Sequence, residues 1–255
     1  MIARLLVVGI AVVAAGCGNG GRGGGMPAAP SPAAASLAIS PATESLLIQG
    51  LEIFSVTATF PDGTSRPAGA TWSSDAPAVA QVDGTGRVDG VGPGTATITA
   101  EAEGLRATRF MRVIPDYAGD WRGGIRITAC VSEGAWSSMR YCDIYDAGSG
   151  IGIRLKLKQA HDEVEGGVSF GRTFGSVRGR IRTSGALVLE GSYTETFPES
   201  VPMEIAVSNW ETLSVDNRQM TGRLRTTFRV SGRTGFAQLD YEVRELRKDI
   251  GNGKP

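Results

Sequence analysis

The chain has 255 residues, with 26 basic and 26 acidic side chains and no formal net charge. This length accommodates one or two domains, and the charge balance supplies no global field to draw in nucleic acid or an anionic surface. A single histidine, His161, argues against histidine metal sites and against Ser/His/Asp machinery. Glycine is abundant, at 36 residues, which suits many short strands joined by glycine turns rather than long helices.

The first segment is residues 1–16. Arg4 precedes an apolar run over 5–15, the pattern of a secretory signal peptide. The run is too short for a bilayer span, which needs about 20 apolar residues. It ends in Ala14, Ala15, Gly16 and Cys17, which resembles a bacterial lipobox, with Ala14 in place of the commoner leucine. The resemblance implies lipidation of Cys17 and membrane attachment through that lipid. Gly18 follows, rather than the aspartate that retains enterobacterial lipoproteins at the inner membrane. The outer membrane or cell surface is therefore expected.

Residues 17–36, rich in Gly, Pro and Ala, cannot bury a core and read as a tether. As a coil the tether would span about 25 Å.

Residues 37–115 carry short alternating segments separated by turn signals. Phe54, Val56, Ala58 and Phe60 alternate with polar residues, and Pro61, Asp62, Gly63 and Thr64 make a turn. Trp72 is placed inward. Asp62, Asp75, Asp83 and Asp89 lack the dense spacing of a calcium loop, and turn formation explains them. The stretches PDGTSRP, TWSSDAPAVAQVDGTGRV and GVGPGTATITA resemble the group 2 bacterial Ig-like family. The resemblance implies an Ig-like β-sandwich of a kind found in surface adhesins and envelope proteins. A single copy reads as a spacer.

Residues 116–248 form about eight alternating segments. Ile151, Ile153, Leu155 and Leu157 oppose Arg154, Lys156 and Lys158; Val177, Gly179 and Ile181 oppose Arg178, Arg180 and Arg182. Leu187, Leu189, Gly191 and Tyr193 continue the series. The expected fold is all-β, an Ig-like sandwich followed by an antiparallel meander that closes into a barrel and so removes its edges. A barrel of this size is either filled by side chains or holds one small ligand. Gly123, Gly166, Gly179, Gly191 and Gly222 fall on the apolar face. They allow sharp strand coiling or, alternatively, open a ligand cavity.

Gly119, Asp120 and Trp121 resemble the G-x-W of lipocalin-like barrels. The resemblance implies that Trp121 plugs one end beneath a late arginine, Arg244 or Arg247. Cys130 and Cys142 flank the first connection. In an oxidising compartment a disulfide is expected between them, stapling a loop that carries Trp136 and Tyr141. These two aromatics are the candidate binding residues. The alternative is a long connection fastened for stability. The arginine rows are expected to pair across strands on a solvated exterior, and His161 lies in a polar turn without a nucleophile beside it. Residues 249–255 read as a disordered tail.

These features point to a non-enzymatic envelope lipoprotein with no cofactor and no metal. An Ig-like spacer would present a barrel to an envelope protein, a glycan or a small apolar ligand. A small-barrel enzyme or enzyme inhibitor, and a purely structural surface protein, are the alternatives.

Overall fold

The structure, a computed structural model, describes residues 32–171, 173–197 and 201–250. Cys17 and the segments before it lie outside the described residues. The first ten strands are β1 (Ser36–Ser40), β2 (Ser45–Leu47), β3 (Leu51–Ile53), β4 (Ser55–Thr59), β5 (Ser65–Ala68), β6 (Thr71–Ser74), β7 (Ala80–Val82), β8 (Arg87–Gly90), β9 (Gly94–Ala102) and β10 (Leu105–Ile114). They form sheets of order β1-β4-β5, β2-β10-β9-β6 and β3-β8-β7. All pairs are antiparallel except β2 with β10. Alternation in β4, β9 and β10 turns Val56, Ile98, Met111 and Val113 into a common core with Phe54 and Val88. Trp72 packs against that core, its ring 6.3 Å from Phe54. No cysteine pair bridges these sheets, so apolar burial and strand pairing hold them.

The second set is β11 (Gly119–Ser132), β12 (Gly150–Ala160), β13 (Glu163–Phe170), β14 (Thr173–Ile181), β15 (Leu187–Phe197), β16 (Val201–Ser214), β17 (Gln219–Val230) and β18 (Ala237–Lys248). They close into an antiparallel barrel in chain order, the last strand pairing with the first from Trp121 opposite Lys248 to Ser132 opposite Ala237. Closure leaves no open edge. Two short helices, α1 (Ala135–Ser138) and α2 (Tyr141–Ile144), interrupt the connection between β11 and β12.

The barrel is filled. Trp121, Ile127, Leu155, Leu189, Trp210 and Leu246 are among a continuous set of buried side chains inside it. The five inward glycines bring strands together rather than opening space. A Cβ at Gly179 would lie 1.8 Å from the Val188 carbonyl oxygen, and one at Gly166 would lie 2.0 Å from that of Lys156. Equivalent contacts of 2.0–2.2 Å arise at Gly123, Gly191 and Gly222. Each glycine therefore permits a neighbouring backbone to approach where the sheet coils most sharply.

The junction between sandwich and barrel is built rather than slack. Ile114 and Tyr117 belong to the barrel's buried set. The Tyr117 hydroxyl donates to the Gly185 carbonyl at 2.8 Å and accepts from the Ser214 amide at 3.1 Å. Burial pushes this phenol up to about 12. Arg112 donates to the Ile181 carbonyl at 3.2 Å, and Asn217 donates to the Ile48 carbonyl at 2.8 Å. Gly185, at φ 84°, sits where an added Cβ would lie 2.3 Å from Pro93 and 3.3 Å from Pro115. The described residues from Ala33 onward form one compact unit.

Candidate functional site

The barrel has a base, beside the sandwich, and a far mouth. At the base Trp121 is fully buried, and its indole N–H donates to the Tyr117 carbonyl at 2.8 Å. The cation over it is Lys248, whose Nζ lies 5.5 Å from the ring centre. Lys248 also donates to the Asp116 carboxylate at 2.7 Å and to the Asp116 carbonyl at 3.1 Å. The expected arginines point elsewhere: Arg244 pairs with Glu242 at 2.9 Å and Arg247 with Glu245, both on the exposed surface. A register irregularity in the pairing of β11 with β18, between Gly124 and Ile125, accounts for the exchange. It shifts the alternation so that Leu246 and Lys248, rather than Glu245 and Arg247, follow Val243 on the inner side.

At the far mouth Cys130 and Cys142 are disulfide-bonded, with a Cα–Cα distance of 5.6 Å. The staple holds α1 and α2 over the barrel end. Trp136 is fully buried there, so it is a stopper and does not form an exposed contact surface. Its ring meets Tyr141 edge-on at 4.9 Å and Phe228 at 6.3 Å. The chain reaches this packing through Gly134 at φ 59° and Arg140 at φ 53°. Glycine adopts the first readily; the second is uncommon for an arginine. Tyr141 is half-buried, 4.8 Å from Tyr145 and 5.7 Å from Phe228.

Opposite this lid, Phe170 stacks on Tyr193 at 5.8 Å. Tyr241 bonds Thr226 at 3.2 Å, and burial pushes its phenol up to about 12. Burial likewise raises the hydroxyls of Tyr141 and Tyr193, and the nearby Glu195 carboxylate pushes both further in the same direction. Glu195 itself is held above the usual carboxylate range by desolvation. It lies two residues beyond Tyr193 on β15 and shares its inward side. The alternation of Leu187, Leu189, Gly191 and Tyr193, extended by one step, reaches Glu195.

The outer wall is charged and internally paired. Arg180 stands opposite Glu163 at 2.7 Å, Arg178 opposite Glu190 at 3.7 Å, and Arg225 opposite Asp240 at 2.5 Å. A concavity lined by these residues and by Glu211 and Arg223 lies along this charged wall. In the sandwich, Asp62 and Asp83 accept hydrogen bonds from Thr64 and Thr85, and Asp75 from the Thr97 amide. Asp89 pairs with Arg87. These carboxylates are committed to turns and ion pairs. His161 sits at φ 56° in an exposed turn.

The fold thus joins an Ig-like sandwich to a closed, filled eight-stranded barrel. Residues 33–103 match the family model of the bacterial Ig-like domain (group 2). Among curated proteins, the chain is 43% identical over 67 residues to Ice-binding protein 1 of Shewanella frigidimarina (strain NCIMB 400). That match covers 26% of this chain and 8% of the relative. Among solved structures, domains 4–9 of the surface layer protein SbsC align over 82% of this chain and 31% of theirs, at 14% identity and a TM-score of 0.31. Domains 5–6 of SbsC align over 83% of this chain and 97% of theirs, at 15% identity and a TM-score of 0.30. Among the described residues no helix is long and apolar enough to cross a membrane.

Proposed function

We propose that this chain is a non-enzymatic, exported lipoprotein of the cell envelope. Cys17 carries the lipid, the residues between it and the Ig-like sandwich form the tether, the sandwich is the spacer, and residues 116–248 are the displayed barrel. The observation that carries the reading is the pinned junction at Tyr117, Arg112, Asn217 and Gly185. Two modules fixed together at one end of the barrel leave the other end and the outer wall to meet a partner. The filled interior argues against a ligand carried within the barrel, so the partner is met at the surface. The bacterial Ig-like match over residues 33–103 supports an extracytoplasmic setting.

The test is fractionation of cells expressing the full chain and its Cys17→Ser variant. The native chain is expected with the membranes, in the outer membrane where the cell has two. The variant is expected in the soluble exported fraction. A variant that stays with the membranes would contradict the lipid anchor.

A further inference from the structure

The cross-strand charge pairing of the outer wall breaks down on one side of the barrel. From β13 round to β18, charged residues that stand directly opposite each other differ in sign: Glu163 and Arg180, Arg178 and Glu190, Glu204 and Arg229, Glu211 and Arg223, Arg225 and Asp240. Around β11 the rule fails. Arg122 stands opposite Arg247 of β18 on one side and opposite Arg154 of β12 on the other. Three arginines are thus abreast over about 10 Å. Among the described residues these are the only directly opposed like charges in the barrel. Like charges so placed destabilise a sheet.

The cations continue beyond that row. Strands β11 and β12 together carry Arg122, Arg126, Arg154, Lys156 and Lys158 against one acid, Asp120, and all six side chains are exposed. Arg122 has a counter-ion in Asp249 at 3.0 Å, and Arg247 has one in Glu245. Arg126, Arg154, Lys156 and Lys158 form no ion pair with a described residue. Asp120 and Glu165 stand opposite Lys156 and Lys158 in register without closing on them. Outside the described residues the sequence holds a single acid, Glu199, which follows β15. On β12 the three cations recur at every second residue, about 6.7 Å apart.

The ground between them is bare. Gly124 lies opposite Gly152, and Gly167 lies opposite Lys156. A concavity opens beside Lys156 and Lys158 over Gly167, Ser176 and Ser192, with Glu165, Arg178 and Glu190 also along it. The outward positions of β11 from Asp120 to Thr128, and of β12 from Gly150 to Lys158, hold no apolar or aromatic side chain. That leaves nothing for the apolar core of a protein interface, for base stacking by a single-stranded nucleic acid, or for insertion into a bilayer. A row of cations beside exposed backbone suits a hydrophilic chain with repeating anions.

We propose that the β11–β12 face of the barrel binds an acidic polysaccharide, with Arg122, Arg126, Arg154, Lys156 and Lys158 meeting successive carboxylates. The bound anions would relieve the repulsion along the arginine row. This rests on the reading of the barrel as the displayed module, and it names the chemistry met on its outer wall.

The test is titration of the purified full-length chain with oligogalacturonate, followed by amide chemical shifts. Neutral dextran oligomers, single-stranded DNA and phosphatidylglycerol vesicles are the comparisons. Saturable shifts are expected at residues 122, 126 and 152–158, and not at 178–182 or 223–225. Binding should weaken as sodium chloride rises from about 50 to about 200 mM, because each contact releases counter-ions. Arg154→Gln/Lys156→Gln/Lys158→Gln is expected to weaken it by about tenfold, while Arg180→Gln/Arg223→Gln, on the paired wall, should stay within about twofold. An unchanged or raised urea midpoint would show that the triple variant is folded; if it is not, the shift map of the unsubstituted chain decides. No saturable binding at low salt, equal losses in the two variants, or tighter binding of DNA or vesicles than of oligogalacturonate would overturn the proposal. Membrane attachment through Cys17 would stand in either case, because fractionation reads it separately.

Discussion

Lys248 Nζ lies 5.5 Å from the centre of the Trp121 ring while bonding the Asp116 carboxylate at 2.7 Å. The last residue of the last barrel strand thus locks the first strand and the junction in one contact. Trp121→Ala should cost about 3–5 kcal/mol by removing a fully buried indole. Lys248→Met keeps much of the apolar stem and loses the cation, at about 1 kcal/mol. Arg244→Met should stay within about 0.5 kcal/mol. Urea denaturation of the three variants measures this order. A larger loss at Arg244 than at Lys248 would reverse the assignment of the cap.

The Cys130–Cys142 bond closes a short loop over the mouth. Opening it with Cys130→Ala/Cys142→Ala should destabilise by roughly 3 kcal/mol. The loss should be local first: Trp136 should become accessible to a fluorescence quencher before the barrel unfolds. Quenching that rises only with global unfolding would mean that the lid has no independent motion.

Gly185 meets Pro93 where any added Cβ would lie 2.3 Å from the proline ring, at a backbone φ of 84°. Gly185→Val therefore combines a clash with left-handed strain and should cost about 2 kcal/mol or more. Faster hydrogen exchange in β10 and at Leu187 is expected. Protection at Ile153 and Leu155, inside the barrel, should persist. Uniform loss of protection would show that the junction and the barrel unfold as one.

Asp62, Asp75, Asp83 and Asp216 are all held below the ordinary carboxylate value of 3.8, chiefly by hydrogen bonds from Thr64, Thr97, Thr85 and the Arg218 amide. A depressed folded pKa stabilises the native state above the unfolded value, and that stability is lost as pH falls through the folded values. Denaturant midpoints should therefore drop between about pH 5 and about pH 2. Glu195 acts oppositely. Desolvation raises it, so its contribution is most favourable below 4.5 and declines as pH rises through its folded value. Glu195→Gln should flatten that decline, while Asp83→Ala should reduce the acid-side drop.

Much of the barrel is legible in the sequence because strand alternation is a local property. Ile153, Leu155 and Leu157 face inward and Arg154, Lys156 and Lys158 outward, as the period of two requires. The ion pairs of the outer wall follow from the same alternation once the register is known. Lys248 is hidden because a bulge changes the phase of β18, and a bulge leaves no periodic signal. Trp136 looks like an exposed loop aromatic because its burial depends on α1 folding back over the mouth, a tertiary event. The pinned junction is equally invisible, since Asp116, whose amide donates to Asn217, and Asn217 are 101 residues apart in chain order and meet only through the closed barrel.

The most direct test of the account is the distance between spin labels at Thr64, in an exposed turn of the sandwich, and Glu204, on the outer wall near the far mouth. Double electron–electron resonance on the chain should give one narrow distribution, broadened by Gly185→Val. A broad or multimodal distribution in the unmodified junction would mean that sandwich and barrel move independently, and it would contradict the rigid spacer on which the proposed function rests.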